Sequence, residues 1–291
     1  MKKRKIALIL GLGAVTASTL VLTSCGGKES ISFKSYSNEV SEADFISAAQ
    51  AIDVADYTSY SATSYYYQEA SMSYDSIKTV MKEINKAEEK YNADDKVSYA
   101  KETSEESYES SGQEYVRKST SERTCQVDGE KLYVADMQTK TYTERTSEYY
   151  DATYILDFEN FDESEVTSEV GSFLNFNEAP VKYKYFKDGD VFTITAELDT
   201  EALSTYKETT KMDVSGSVKG TFQFYYANNE LFYGSELEVD LTGKNTDEQS
   251  EGFKETIMKL SSAETATIKF EKPSVSKVDL SNYKKYNNYY N

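Results

Sequence analysis

Leu231-Phe232-Tyr233-Gly234-Ser235-Glu236-Leu237-Glu238-Val239-Asp240-Leu241 is the stretch that decides the fold. Leu231, Tyr233, Leu237, Val239 and Leu241 point one way, and Gly234, Glu236, Glu238 and Asp240 point the other. A period of two with one apolar side marks a β-strand that has a buried face and a wet face.

The same reading spreads outward on both sides. Asn228-Asn229 is a tight turn joining this strand to another over Ser217–Tyr226. Phe192, Ile194, Ala196 and Leu198 alternate with Thr193, Thr195 and Glu197, and the turn Lys187-Asp188-Gly189-Asp190 leads back to Val181–Phe186. Asp128-Gly129, a strong hairpin signal, lies between Glu114–Val127 and Glu130–Met137, and Thr139–Arg145 continues the meander. Ala266, Ile268 and Phe270 alternate along a last strand, Ala263–Glu271, and Tyr57–Gln68 has the Tyr, Ser and Thr content of a strand.

Three segments read as helices. Ser41 is an N-cap with Glu42 and Asp44 behind it, and Phe45, Ala48, Ala49 and Ile52 recur at helical spacing. Ile77, Val80, Met81, Ile84, Ala87 and Tyr91 follow the i, i+3, i+4 rule, with Lys82, Glu83, Lys86 and Glu89 opposite. A third helix is expected over Thr200–Thr210. A sheet with one apolar face needs a cover. The expected fold class is therefore α+β: a large curved antiparallel β-sheet, a half-barrel-like meander, covered by two or three helices. It occupies residues 41–275 as one domain, with a polar Tyr/Asn-rich tail over 276–291.

The N-terminus carries a different message. Lys2-Lys3-Arg4-Lys5 precedes an apolar run from Ile6 to Leu22, and Leu22-Thr23-Ser24-Cys25 closes it. A basic start, an apolar middle and small residues before a cut form an export signal. An uncleaved membrane anchor is the other reading, but the run is short for a span and is interrupted by Gly11, Gly13, Thr16, Ser18 and Thr19. The four closing residues resemble the lipobox of bacterial lipoproteins. That resemblance implies a signal peptide over 1–24, cleavage between Ser24 and Cys25, and diacylglycerol on the Cys25 thiol. It places the protein at the cell membrane, lipid-anchored on the extracytoplasmic face. Residues 25–40 then form the lipidated cysteine and a flexible tether. A leading helix, a helix after the first strand and a long meander together look like LolA-like and LppX-like lipoprotein carriers, which implies a sheet wrapped around helices, sometimes with a cavity for lipid.

Composition narrows the function. The chain has 32 Lys and Arg against 50 Asp and Glu, and loss of the four basic signal residues leaves the mature protein near −22. Such a surface repels phosphate backbones, so no nucleic acid is expected as a partner. There is no His, which removes the commonest general base and metal ligand, and no Trp. With Cys25 lipidated, Cys125 has no partner for an internal disulfide and reads as a small buried filler.

Chemistry is sparse. Ser204 and Lys207 have S-x-x-K spacing, but the companion motifs of serine acyl-enzymes are missing, and Thr242-Gly243-Lys244 is not one. Asp188 and Asp190 flank a glycine, which a hairpin turn explains better than calcium. No catalytic residue, metal or cofactor is expected. The 26 tyrosines are the one notable enrichment, clustered at Tyr65–Tyr67, Tyr149-Tyr150, Tyr183 and Tyr185, Tyr225-Tyr226 and Tyr289-Tyr290. Two non-catalytic roles follow. One is binding or carrying an apolar small molecule or lipid in a cavity lined by Ile77, Met81, Ile84, Phe192, Ile194 and Leu237. The alternative is a surface adhesion or scaffold protein that meets an envelope protein or glycan through exposed Tyr and acidic residues.

Overall fold

The computed structural model describes residues 28–52, 59–74, 77–146, 181–204, 211–246 and 254–286, together with the backbone of a two-residue ladder between Ala7–Leu8 and Leu156–Asp157. All other described strands belong to one sheet of 13 strands. In chain order they are β1 (Glu39–Val40), β2 (Tyr60–Tyr74), β3 (Ile77–Asn92), β4 (Val97–Ser110), β5 (Gln113–Asp128), β6 (Lys131–Asp136) and β7 (Thr141–Thr146), then β8 (Val181–Asp188), β9 (Val191–Leu198), β10 (Met212–Ala227), β11 (Glu230–Asn245), β12 (Glu255–Lys269) and β13 (Lys284–Lys285). Their order across the sheet is β13-β7-β6-β5-β4-β3-β2-β12-β11-β10-β9-β8-β1. Two meanders, β2 to β7 and β8 to β12, are thus joined side by side through the β2–β12 pair. Every pairing is antiparallel except β13 with β7.

The helix α1 (Glu42–Gln50) forms as the capping pattern requires, with the Ser41 hydroxyl accepting from the Asp44 N–H at 3.1 Å. It defines an inner face of the sheet. Phe45 of α1 packs on Phe192, Phe224 and Tyr185, and Phe192 stacks on Phe224 with centroids 4.9 Å apart. Leu231, Tyr233, Leu237, Val239 and Leu241 are all buried in this core, as the alternation predicts.

The α+β expectation is wrong: the described chain is nearly all strand. Ile77–Asn92, read as a helix, is β3, and of Thr200–Thr210 only residues 200–204 are described as helical. In β3 the supposed apolar stripe splits between faces. Ile84 lies on the outer face, whereas Ile77 and Met81 fall on the inner one. The helix after the first strand, one of the elements behind the likeness to LolA-like carriers, is therefore a strand. Two neighbours of 15 and 14 residues decide this, because β2 and β4 bond the backbone of β3 on both sides. Its lysines lie over tyrosine rings of the adjoining strands, Lys86 on Tyr65, Lys82 on Tyr67 and Lys90 on Tyr99. Long-range pairing of this kind overrides local helical preference.

No second or third helix covers the sheet among the described residues. Two extended segments cover its outer face instead. Residues 28–38, read as part of a flexible tether, lie across β2, β11, β10 and β8. Lys28 pairs with Glu238, the Glu29 N–H donates to the Tyr65 hydroxyl at 2.8 Å, and Ile31 packs over Tyr65, Tyr67, Ile84 and Ala263. At the other end, the polar tail runs over β5 to β7. The Val278 N–H donates to Gln126 Oε1 at 2.8 Å, Gln126 Nε2 donates to the Val278 carbonyl at 3.2 Å, and β13 adds to β7.

Candidate functional site

The strands β2 to β5 extend past the short β6, which pairs only with the Arg123–Asp128 end of β5, and past β7, which pairs in turn with β6. The far end of these strands closes in the turn Ser111-Gly112, where both residues have positive φ (52° and 78°), the geometry of a two-residue hairpin. Gly112 provides the left-handed conformation there without steric cost.

One cross-strand row runs the whole width of the inner face at this level: Val218, Val239, Leu260, Ala70, Met81, Tyr108 and Tyr115, each paired with the next. At one end Val218, Val239 and Leu260 are buried in the core. At the other, Met81 is 56% exposed, Tyr108 45% and Tyr115 62%, with Ile77 at 55% on the same face of β3. The apolar row thus continues out of the core onto an open surface. Single exposed apolar residues are ordinary, but four on one face at one end of the sheet form a patch that another molecule can cover.

The six side chains expected to line one cavity are not brought together. Ile77 and Met81 lie in the open patch. Ile84 is on the opposite face, under Ile31. Phe192, Ile194 and Leu237 are buried in the core at 3%, 3% and 6% exposure. A shallow open cleft of about 340 Å³ lies beside the end of α1, lined by Ala48, Ile52, Lys187, Asp190, Phe192 and Tyr226. Of the six, only Phe192 reaches it. Ser24 and Cys25 lie outside the described residues.

Most of the tyrosines serve the fold. Tyr65 and Tyr67 are buried on the outer face, where burial, then the hydrogen bond to Glu69, raises the Tyr67 hydroxyl pKa. Tyr99, bonded to Glu122 at 2.8 Å, is pushed up to about 12, first by burial. Tyr225 stacks on Phe232 under the Lys34 ammonium, and Tyr226 meets Phe270 on the inner face. Tyr149, Tyr150, Tyr289 and Tyr290 lie outside the described residues. The exposed pair Tyr108 and Tyr115 belongs to none of the clusters singled out in the sequence. The Ser111-Gly112 dipeptide was the available signal, since a turn there sets the two tyrosines opposite each other.

The remaining chemical candidates have structural roles. Asp188 accepts from the Ser37 and Asn38 N–H groups at 2.9 and 3.2 Å, and these bonds hold its carboxyl below the usual range. The Ser204 hydroxyl donates to the Glu201 carbonyl at 2.8 Å, and Lys207 lies outside the described residues. Cys125 is a partly buried thiol whose pKa is pushed up by burial.

No family model matches the chain, and no curated protein is detectably similar. Solved structures give distant matches. Over 70% of this chain and 55% of the other, OprD of Pseudomonas aeruginosa aligns at 9% identity with a TM-score of 0.19. The outer membrane protein OprG of the same organism aligns over 74% of this chain and 98% of the other, at 7% identity with a TM-score of 0.16. The chain spans about half the length of the OprD structure it matches. Scores of this size assign no shared fold.

Proposed function

We propose that the chain is a lipid-anchored protein of the extracytoplasmic membrane face that binds an envelope partner, without catalysis, on the open end of its sheet. The observation that carries this reading is the row in which Met81, Tyr108 and Tyr115 prolong the core onto an exposed surface. Burial of these side chains by a partner contributes roughly 25 cal/mol for each Å² of apolar surface removed from water, and aromatic side chains dominate such interfaces. The dispersal of the six expected lining side chains among core, outer face and open patch favours surface binding over carriage of an enclosed lipid. The basic start, apolar run and Leu22-Thr23-Ser24-Cys25 support the anchor, and the strong negative charge disfavours nucleic acid.

A photo-crosslinking residue at Tyr108, in cells producing the full chain, tests the site. One discrete envelope adduct is expected, lost when Ile77 and Met81 are changed to Ser. No adduct, or one unaffected by those changes, overturns the reading. The anchor is tested separately: fatty-acid label on the chain is expected to vanish in Cys25→Ala, and label that survives removes it.

A further inference from the structure

We propose that β5 pairs edge to edge with the same strand of a second copy of this chain, about a two-fold axis through Val116. Residues Gln113–Thr120 of β5 are bonded to β4 on one side, while β6 begins only opposite Asp128 and ends opposite Arg123. The Met137 N–H donates to the Glu122 carbonyl, and the Gln138 side chain donates to the Thr120 carbonyl. The carbonyls of the even-numbered residues therefore face away from β4. In a strand the N–H and C=O of one residue point to the same side, so Glu114, Val116 and Lys118 present both groups along an open edge. None of these six groups has a partner among the described residues. Such an edge is a template for another strand.

The side chains select the occupant. When two copies run antiparallel with Val116 opposite Val116, Glu114 of each faces Lys118 of the other. This sets Glu114 of each beside Lys118 of the other on the outer face, where Lys118 also pairs with Glu105 of its own copy at 2.9 Å. Tyr115 of each faces Arg117 of the other on the inner face, an arrangement suited to cation–π contact. Among the described residues Arg117 forms no ion pair. The even residues that carry the free backbone groups also fall opposite one another, as a hydrogen-bonded antiparallel ladder requires.

Other registers are worse. Centring on Glu114 or Lys118 sets like charges face to face, and centring on Arg117 opposes two guanidiniums. Centring on Tyr115 shortens the overlap and leaves the charges unpaired. Charged residues usually guard an edge against pairing. Here their order, acid then base about a valine, excludes the alternatives and admits one. Pairing takes up part of the exposure of Val116 (47%) and Tyr115 (62%), and it leaves Ile77, Met81 and Tyr108 open on the inner face.

The test uses the full chain in detergent with Cys25→Ser and Cys125→Ser, so it does not depend on lipidation or on the partner proposed above. Val116→Cys is expected to form a disulfide-linked dimer under mild oxidation, because paired Cα atoms about 5.5 Å apart lie within disulfide range. Glu114→Cys alone is expected not to crosslink, whereas Glu114→Cys with Lys118→Cys is. Without added thiols, Lys118→Glu is expected to weaken the dimer at least tenfold by sedimentation, and Glu114→Lys with Lys118→Glu to restore it. Val116→Pro removes only an edge-facing N–H, so a folded monomer is expected. A monomer at all concentrations, equal crosslinking by Glu114→Cys alone, or a dimer that survives Val116→Pro overturns the proposal.

Discussion

Gln223 holds Lys34 by both of its backbone groups. The Lys34 N–H donates to Gln223 Oε1 at 2.7 Å, and Gln223 Nε2 donates to the Lys34 carbonyl at 2.9 Å and to Thr193 Oγ1 at 3.0 Å. The side chain is fully buried on the outer face and acts as one residue of a neighbouring strand would. Gln126 grips Val278 in the same way at the other end of the sheet. Two buried amides thus dock the segments that enter and leave the domain.

Gln223→Leu keeps the volume and removes the clamp. The Lys34 backbone groups lose both bonds and the buried Thr193 hydroxyl loses its donor, a change that costs about 1–3 kcal/mol. Urea unfolding is expected to show a loss of that order, with much faster amide exchange at Lys34. Unchanged exchange at Lys34 would show that the contact with Tyr225 suffices.

Docking of residues 37 and 38 is expected to depend on pH through Asp188. Its carboxyl is held below the ordinary carboxylate range by the Ser37 and Asn38 N–H groups. A carboxyl lowered on folding adds stability that is complete above its unfolded pKa and is lost as pH falls through the folded value. Amide protection at Ser37 and Asn38, taken relative to the intrinsic exchange rate, should therefore hold from neutral pH down to the ordinary carboxylate range and decline from there as the pH falls through the folded value. Asp188→Asn should remove that acid step.

Gly216→Ala is expected to be strongly destabilising. Its φ of +134° is reserved for glycine, and a Cβ there would lie 1.9 Å from the Asp240 carbonyl oxygen, a backbone atom that cannot swing away. Thermal unfolding should show a large drop in Tm, whereas Gly129→Ala, whose Cβ meets nothing within 4 Å, should show a much smaller one.

Core and open patch should separate cleanly by mutation. Phe192→Ala removes a ring stacked on Phe224 and edge-on to Phe45, and is expected to cost about 3–5 kcal/mol. Met81→Ala, at a half-exposed position, should stay within about 0.5 kcal/mol in the same denaturant titration. A large loss at Met81 would mean that it is packed in the native protein.

Much of the candidate site was legible only in fragments. Met81 and Ile77 were picked out as apolar, but on a helix and facing a cavity. Tyr108 was not picked out, because Val97–Ser110 has Glu and Ser where a strand usually has β-branched residues. Its strand character comes from pairing with β3 and β5 along nearly its whole length.

The sequence alone determined the alternation of Leu231–Leu241, the hairpin signalled by Asp128-Gly129, whose turn residues are Gly129-Glu130, the turn at Asn228-Asn229, and the capped start of α1 at Ser41. These depend on neighbours a few residues apart, so local pattern suffices. Only the tertiary structure decided that Ile77–Asn92 is extended, that Gln223 and Gln126 clamp distant backbone, and that β5 has an open edge among the described residues. Each of those depends on hydrogen-bond partners distant in the chain, and a strand takes its partners from the whole sheet rather than from its own residues.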